Sequence, residues 1–181
     1  IVSDFLNYAN PRPPKVILIN LTQVLEDVVT LLKNDQVYNQ SVNVVLDCPD
    51  ERNFLKGDPQ LFRQLIWNLS INALQAMSEG GELKISLKEA PGFFRENYQS
   101  KQPGIFLTVE DDGYGIEPSL KNKIFDPFFS TKEKGVGLGL AVVYKIVNQF
   151  DGYIGCKSKK PKGSCFEIYL PNSKALKEIL V

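Results

Sequence analysis

Apolar side chains recur at two spacings along this chain, and the change from one spacing to the other marks out its elements. From Asn20 to about Lys33, Leu21, Val24, Leu25, Val28, Leu31 and Leu32 fall three or four apart, which predicts an amphipathic helix. Asn20 followed by Gln23 predicts a capping box at its start. Asp58 then Pro59 predicts an N-cap and first helical residue for a second helix, which runs to about Met77 before Gly80-Gly81 stops it. A third, strongly apolar helix is expected from about Gly137 to Phe150. Between these lie candidate strands at Val42 to Leu46, Phe54 to Leu55, Glu82 to Lys88, Ile105 to Val109, Tyr153 to Ser158 and Ser164 to Leu170. The polar stretch from Lys88 to Ile105 reads as a hairpin loop of about 15 residues. Because strands and helices do not alternate strictly, the pattern predicts an α+β fold, a two-layer α/β sandwich with a mixed sheet, over a doubly wound parallel sheet.

Composition narrows the chemistry. A chain of 181 residues that is 43% hydrophobic and 23% charged has enough apolar side chains for one domain with a sizeable core. Its 21 basic residues balance its 21 acidic ones, so no global field draws it to nucleic acid or to an anionic membrane, and any phosphate site must be local. No apolar run approaches the roughly 18 residues that span a bilayer, and direct membrane insertion is not expected. Cys48, Cys156 and Cys165 are odd in number and lack CxxC spacing, which argues against a disulfide framework and a zinc site and fits a cytoplasmic location, whether or not a parent protein is membrane-anchored. The chain contains no histidine, which removes histidine-based general catalysis and histidine-ligated metals.

Four short segments carry the candidate chemistry. Asn68 and Asn72, four apart on the second helix, share a face and project two amides into one space. An amide oxygen is a hard neutral ligand suited to Mg²⁺, which takes few protein oxygens when phosphates supply the rest. Asp111 ends a strand, and Gly113 and Gly115 in the segment Asp111-Asp112-Gly113-Tyr114-Gly115 let the backbone turn away beside it. A buried carboxylate there can accept a hydrogen bond from the exocyclic amine of adenine and would oppose the carbonyl of guanine. Phe125, Phe128 and Phe129 cluster in a third segment. Gly135, Gly137 and Gly139 precede and open the third helix, where glycines and the helix N-terminus suit a phosphate. They follow neither a Rossmann first strand nor the basic-hydroxyl pair of a P-loop, so both of those readings fail on context.

In this order the segments Asn68 to Ala73, Asp111 to Gly115, Phe125 to Phe129 and Gly135 to Leu140 resemble the ATP-binding catalytic domain of bacterial sensor histidine kinases. That branch belongs to a superfamily which also holds gyrase-type topoisomerases, mismatch-repair ATPases and heat-shock chaperones, and whose fold is the Bergerat ATP-binding fold. The resemblance covers roughly residues 15–171, leaving 172–181 as a C-terminal tail. Residues 1–14, with Asp4-Phe5-Leu6 ahead of three prolines, are similar to the end of the dimerisation and phosphotransfer helix and its linker in kinases of the nitrogen-regulation type. The resemblance implies that Asn72 is the magnesium ligand and Asn68 its partner. It further implies that Asp111, Gly113 and Gly115 hold adenine, that Gly135, Gly137, Leu138 and Gly139 hold phosphates, and that Phe125 and Lys132 also belong to the nucleotide-binding set. Residues 116–136 would form a lid anchored by Phe125, Phe128 and Phe129, with Lys132 and Lys134 neutralising phosphate charge. Asn68, Asn72 and Lys132 would be the catalytic set, and ATP with Mg²⁺ the cofactors.

Two departures from the wider pattern matter. Topoisomerases and chaperones of the superfamily place a glutamate four before the magnesium asparagine, as general base on water; here that residue is Asn68, and no Asp or Glu lies between Asp58 and Glu79. Kinases of this class often carry Lys or Arg three after the magnesium asparagine; here it is Gln75, which shifts the burden of charge to the lid. The reading is therefore a kinase catalytic domain whose partners are ATP and ADP, a histidine-bearing dimerisation domain of the same parent protein, and through that parent a response regulator. A non-enzymatic docking module and an ATPase or serine kinase of the same superfamily, such as an anti-sigma-factor kinase, remain the alternatives.

Overall fold

Alternation along the strands dictates one buried and one outward face. Leu83, Ile85 and Leu87 on one strand lie beside Ile105, Leu107 and Val109 on the next, and beyond them stand Phe166, Ile168 and Leu170; all are buried. The computed structural model describes residues 13–35, 37–38, 40–49, 53–95, 97–132 and 135–172. In chain order they form β1 (Ile17–Asn20), α1 (Leu21–Lys33), β2 (Val42–Asp47), β3 (Phe54–Gly57), α2 (Pro59–Ala76), β4 (Gly81–Ala90), β5 (Phe93–Arg95), β6 (Tyr98–Ser100), β7 (Gly104–Asp111), α3 (Gly139–Gln149), β8 (Tyr153–Ser158) and β9 (Ser164–Pro171), with a 3₁₀ turn at Pro118–Leu120. The main sheet has the order β2-β4-β7-β9-β8; β2 runs parallel to β4 and every other pair is antiparallel. This is the expected mixed sheet in a two-layer sandwich.

The helices cover the apolar face. Helix α2 lies between α1 and α3 and packs against both. Its Phe62, Leu65, Ile66 and Leu69 are fully buried, each contributing about 1.5–3 kcal/mol relative to exposure. Asp58 caps α2 as expected, its carboxylate accepting the N–H groups of Gln60 (2.9 Å) and Leu61 (3.4 Å), with Pro59 inside the first turn. At α1 the expected cap forms but the box does not. Asn20 Oδ1 accepts from Thr22 N–H at 3.1 Å, whereas Gln23 turns along the helix and donates to Asp27.

Other departures are instructive. Residues 17–20, for which the pattern predicts no strand of their own, pair antiparallel with β3 in a separate two-stranded sheet. The expected long loop shrinks because β4 and β7 each extend beyond their predicted ends, and the remainder folds as the hairpin β5–β6. That hairpin lies on the outward face, where the Phe93 ring packs 5.4 Å from Phe106, 5.0 Å from Tyr153 and 5.2 Å from Tyr169. Helix α3 begins at Gly139, two residues later than expected, because Gly137 adopts a left-handed backbone with φ 72°. The three cysteines are free. Cys156 stands opposite Phe166 and Cys165 opposite Lys157, so the two lie on opposite faces of the sheet. Residues 1–12, which carry most of the expected helix end and linker, lie outside the described residues. Among the described residues no helix is long and apolar enough to cross a membrane.

Candidate functional site

The two-residue period of β7 that buries Ile105, Leu107 and Val109 also sends Asp111 to the same face, at the end of the strand. A carboxylate is thus placed at the edge of an apolar layer, 5% exposed. Its Oδ1 accepts the Gly113 N–H at 2.9 Å. Burial pushes the Asp111 carboxyl up to about 6, against the downward pull of the Gly113 and Ser164 backbone N–H groups. Space for the loop comes from glycines. A Cβ on Gly113 would stand 2.6 Å from that of Ala76, so the segment after β7 lies directly against the end of α2. The neighbouring Asp112 faces outward and accepts Glu82 N–H.

Asp111 opens onto a pocket of about 740 Å³ between α2, the segment after β7, the chain from Phe129 to Lys132, and the start of α3. Asn68 and Asn72 line it from α2, and Gly135, Gly137, Leu138 and Gly139 from the opposite side. These walls face each other closely: a Cβ on Gly139 would stand 3.7 Å from Asn72 Nδ2 and 3.9 Å from Asn68 Oδ1. The first turn of α3 receives no side-chain cap from its N-cap residue, Leu138. That turn lines the pocket through Gly139 and Leu140, and a helix start facing a pocket suits an anion.

Lys132 reaches across from the segment before the glycines. Its Nζ donates to Asn72 Oδ1 at 3.2 Å and to Gln75 Oε1. Burial lowers its ammonium pKa, partly offset by Asp111. A second lysine, Lys160, lines the pocket and pairs with Glu117 at 3.4 Å. Among the described residues no three His, Cys, Asp or Glu side chains stand together to hold a metal ion. A divalent cation here would rely on an amide oxygen and on oxygens of the ligand, which the paired asparagines fit.

Of the residues singled out by sequence, Asn68, Asn72, Asp111, Gly115, Lys132, Gly135, Gly137, Leu138 and Gly139 converge on this one pocket. Gly113 does not line it and acts through its N–H on Asp111. Phe125 also stays out, with its ring 5.6 Å from that of Tyr144 and 6.4 Å from that of Phe166. Of the three phenylalanines Phe129 alone lines the pocket, while Phe128, at φ 66°, is 58% exposed. The Phe128 N–H donates to Gly137 carbonyl at 3.0 Å, which ties the phenylalanine segment to the glycine segment. Lys134 lies outside the described residues. Sequence reading missed Trp67, Ile116, Ile124, Ser164 and Phe166, which also line the pocket. Ser164 and Phe166 were legible, since the period of β9 puts them on the face shared with Asp111.

Comparison with known proteins supplies the family. Residues 57–174 match the family described as histidine kinase-, DNA gyrase B- and HSP90-like ATPases. The chain is 34% identical over 177 residues to the sensor kinase CckA of Brucella abortus, and 32% identical over 171 residues to the signal transduction histidine-protein kinase AtoS of Escherichia coli. Each match covers 94% of this chain, but the chain spans 18% and 26% of those two proteins. The solved catalytic domain of the histidine kinase ThkA superposes with a TM-score of 0.72 at 26% identity, over 87% of this chain and 96% of that one. A shared family model over most of the chain and a shared fold over nearly all of a histidine kinase catalytic domain lead to one conclusion: this chain belongs to the histidine kinase-, DNA gyrase B- and HSP90-like ATPase family, as an ATP-binding catalytic domain of the histidine kinase type.

Proposed function

We propose that this chain binds Mg²⁺-ATP in the 740 Å³ pocket and presents the γ-phosphate to a histidine on a separate domain of its parent protein. The observation that carries this reading is the placement of Asp111 at one end of a pocket whose other walls are an asparagine pair, a helix start and a lysine. Asp111 accepts from the adenine amine. The N–H groups at the start of α3 receive phosphate oxygens, and Lys132 offsets their charge. Asn72 would be the protein ligand of Mg²⁺, which when bound supplies further neutralisation of the phosphates. Phosphoryl transfer requires mainly positioning and charge neutralisation, and these residues provide both.

Transfer is favoured over hydrolysis because α2 offers Asn68 where a base would be needed, and an amide cannot take up the proton of water. The acceptor cannot be in the chain, which has no histidine. A response regulator is then the expected receiver of the phosphate from the parent protein. Mixing the chain with radiolabelled ATP and the histidine-bearing domain of its parent tests the reading. Acid-labile, base-stable label on the partner, with little ATP turnover by the chain alone, is the expected result. Rapid hydrolysis by the isolated chain would favour the ATPase alternative, and binding without transfer would favour the docking module.

A further inference from the structure

Asn68, Asn72 and Gln75 succeed one another at intervals of four and three, so they form one row of amides along the pocket side of α2. Lys132 is presented to that row by a tight turn. Ser130 Oγ accepts the Lys132 N–H at 3.1 Å, and Gly135 N–H returns to the Lys132 carbonyl at 3.2 Å. A Cβ on Gly135 would stand 2.5 Å from Ser130 Oγ, so the two residues lie in close contact. The ammonium at its crest meets no carboxylate on α2, because the helix contains none. It is held by two neutral oxygens, Asn72 Oδ1 and Gln75 Oε1. A Lys or Arg at position 75 would repel it.

We propose that Gln75 is a positioning residue, whose amide oxygen fixes the lid lysine Lys132 beside Asn72 and so supplies from the lid the phosphate-facing charge that α2 lacks. The proposal rests on the nucleotide reading above and extends it to a residue to which that reading gives no role. Asn72 Oδ1 is also the atom assigned to the cation. Two cations on one amide oxygen repel, so Gln75 is the partner on which Lys132 stays when the Asn72 oxygen is taken. Lid and helix are thereby held together through a side-chain pair.

The test compares wild type with Gln75→Ala, Gln75→Lys and Gln75→Glu, which are all accommodated because Gln75 is exposed. Amide hydrogen exchange at residues 128–132 is read in the nucleotide-free protein, and ATP affinity is read with Mg²⁺. Gln75→Ala and Gln75→Lys are expected to speed lid exchange, and Gln75→Ala to weaken Mg²⁺-ATP by about tenfold, the loss of one hydrogen bond to a charged group. Gln75→Glu keeps an acceptor, so it is expected to retain lid protection while its negative charge still weakens ATP. A merely structural role at position 75 would not separate these two readouts. Unchanged exchange in both the Ala and Lys variants would overturn the proposal, even with ATP binding intact. Loss of the nucleotide reading itself would show differently, as wild-type protein that fails to bind ATP.

Discussion

Asp111 is the residue at which stability and the proposed function pull apart. Its carboxyl is 5% exposed and titrates at about 6, against an ordinary value of 3.8, so the folded protein binds that proton more tightly than the unfolded chain does. The group therefore contributes its full stabilisation below the unfolded value, and that contribution is lost as pH rises from 3.8 through about 6. Asp111→Asn removes the buried charge while keeping an oxygen for the Gly113 N–H. At pH 8 urea melts should find the variant more stable than wild type by about 1–3 kcal/mol. Adenosine has no phosphate to titrate in this range, and its affinity for wild type should fall as pH is lowered through about 6, whereas the weak binding of Asp111→Asn should be flat. Asn72 makes a different prediction. Asn72→Ala should lose the magnesium-dependent part of ATP affinity and retain the part seen in EDTA. Equal responses of wild type and variant to the chelator would remove the ligand assignment.

At the scale of elements, what was legible and what was not follows from how far the physics is local. The caps at Asn20 and Asp58, the apolar row of α2 and the alternation of β7 are set by neighbours in sequence, and those elements appear where the pattern puts them. The position of Asp111 on the buried face follows from the same alternation. Residues 17–20 were unreadable as a strand because their partner β3 is remote in sequence and the pairing is with that strand alone. The hairpin β5–β6 was unreadable because its order comes from aromatic contacts with Phe106, Tyr153 and Tyr169, which belong to three other strands. Phe125 shows the limit of reading a site from a motif: its spacing marks it as part of the phenylalanine segment, but not that its ring turns toward Tyr144 and Phe166. The hairpin yields its own prediction. Phe93→Ala should lower stability by about 1–3 kcal/mol, less than a fully buried phenylalanine because Phe93 is half-buried. ATP affinity should not change, since the hairpin packs on the face of the sheet away from the pocket. A parallel loss of affinity would mean that the two faces are coupled.

For the whole molecule, balanced charge leaves phosphate recognition to one local pocket, and in the proposed function a histidine-free sequence leaves phosphate acceptance to another domain. The single tryptophan, Trp67, lines that pocket and offers an intrinsic reporter of its occupancy. The account stands on the claim that the pocket selects an adenine nucleotide through Asp111. Calorimetric titration of the 181-residue chain with Mg²⁺-ATP and Mg²⁺-GTP, repeated on Asp111→Asn, tests that claim directly. ATP should bind wild type in clear preference to GTP, and Asp111→Asn should lose about ten- to a hundredfold in ATP affinity, as one buried charge-assisted hydrogen bond requires. Equal affinities for ATP and GTP, or an Asp111→Asn variant that binds ATP as tightly as wild type, would contradict it.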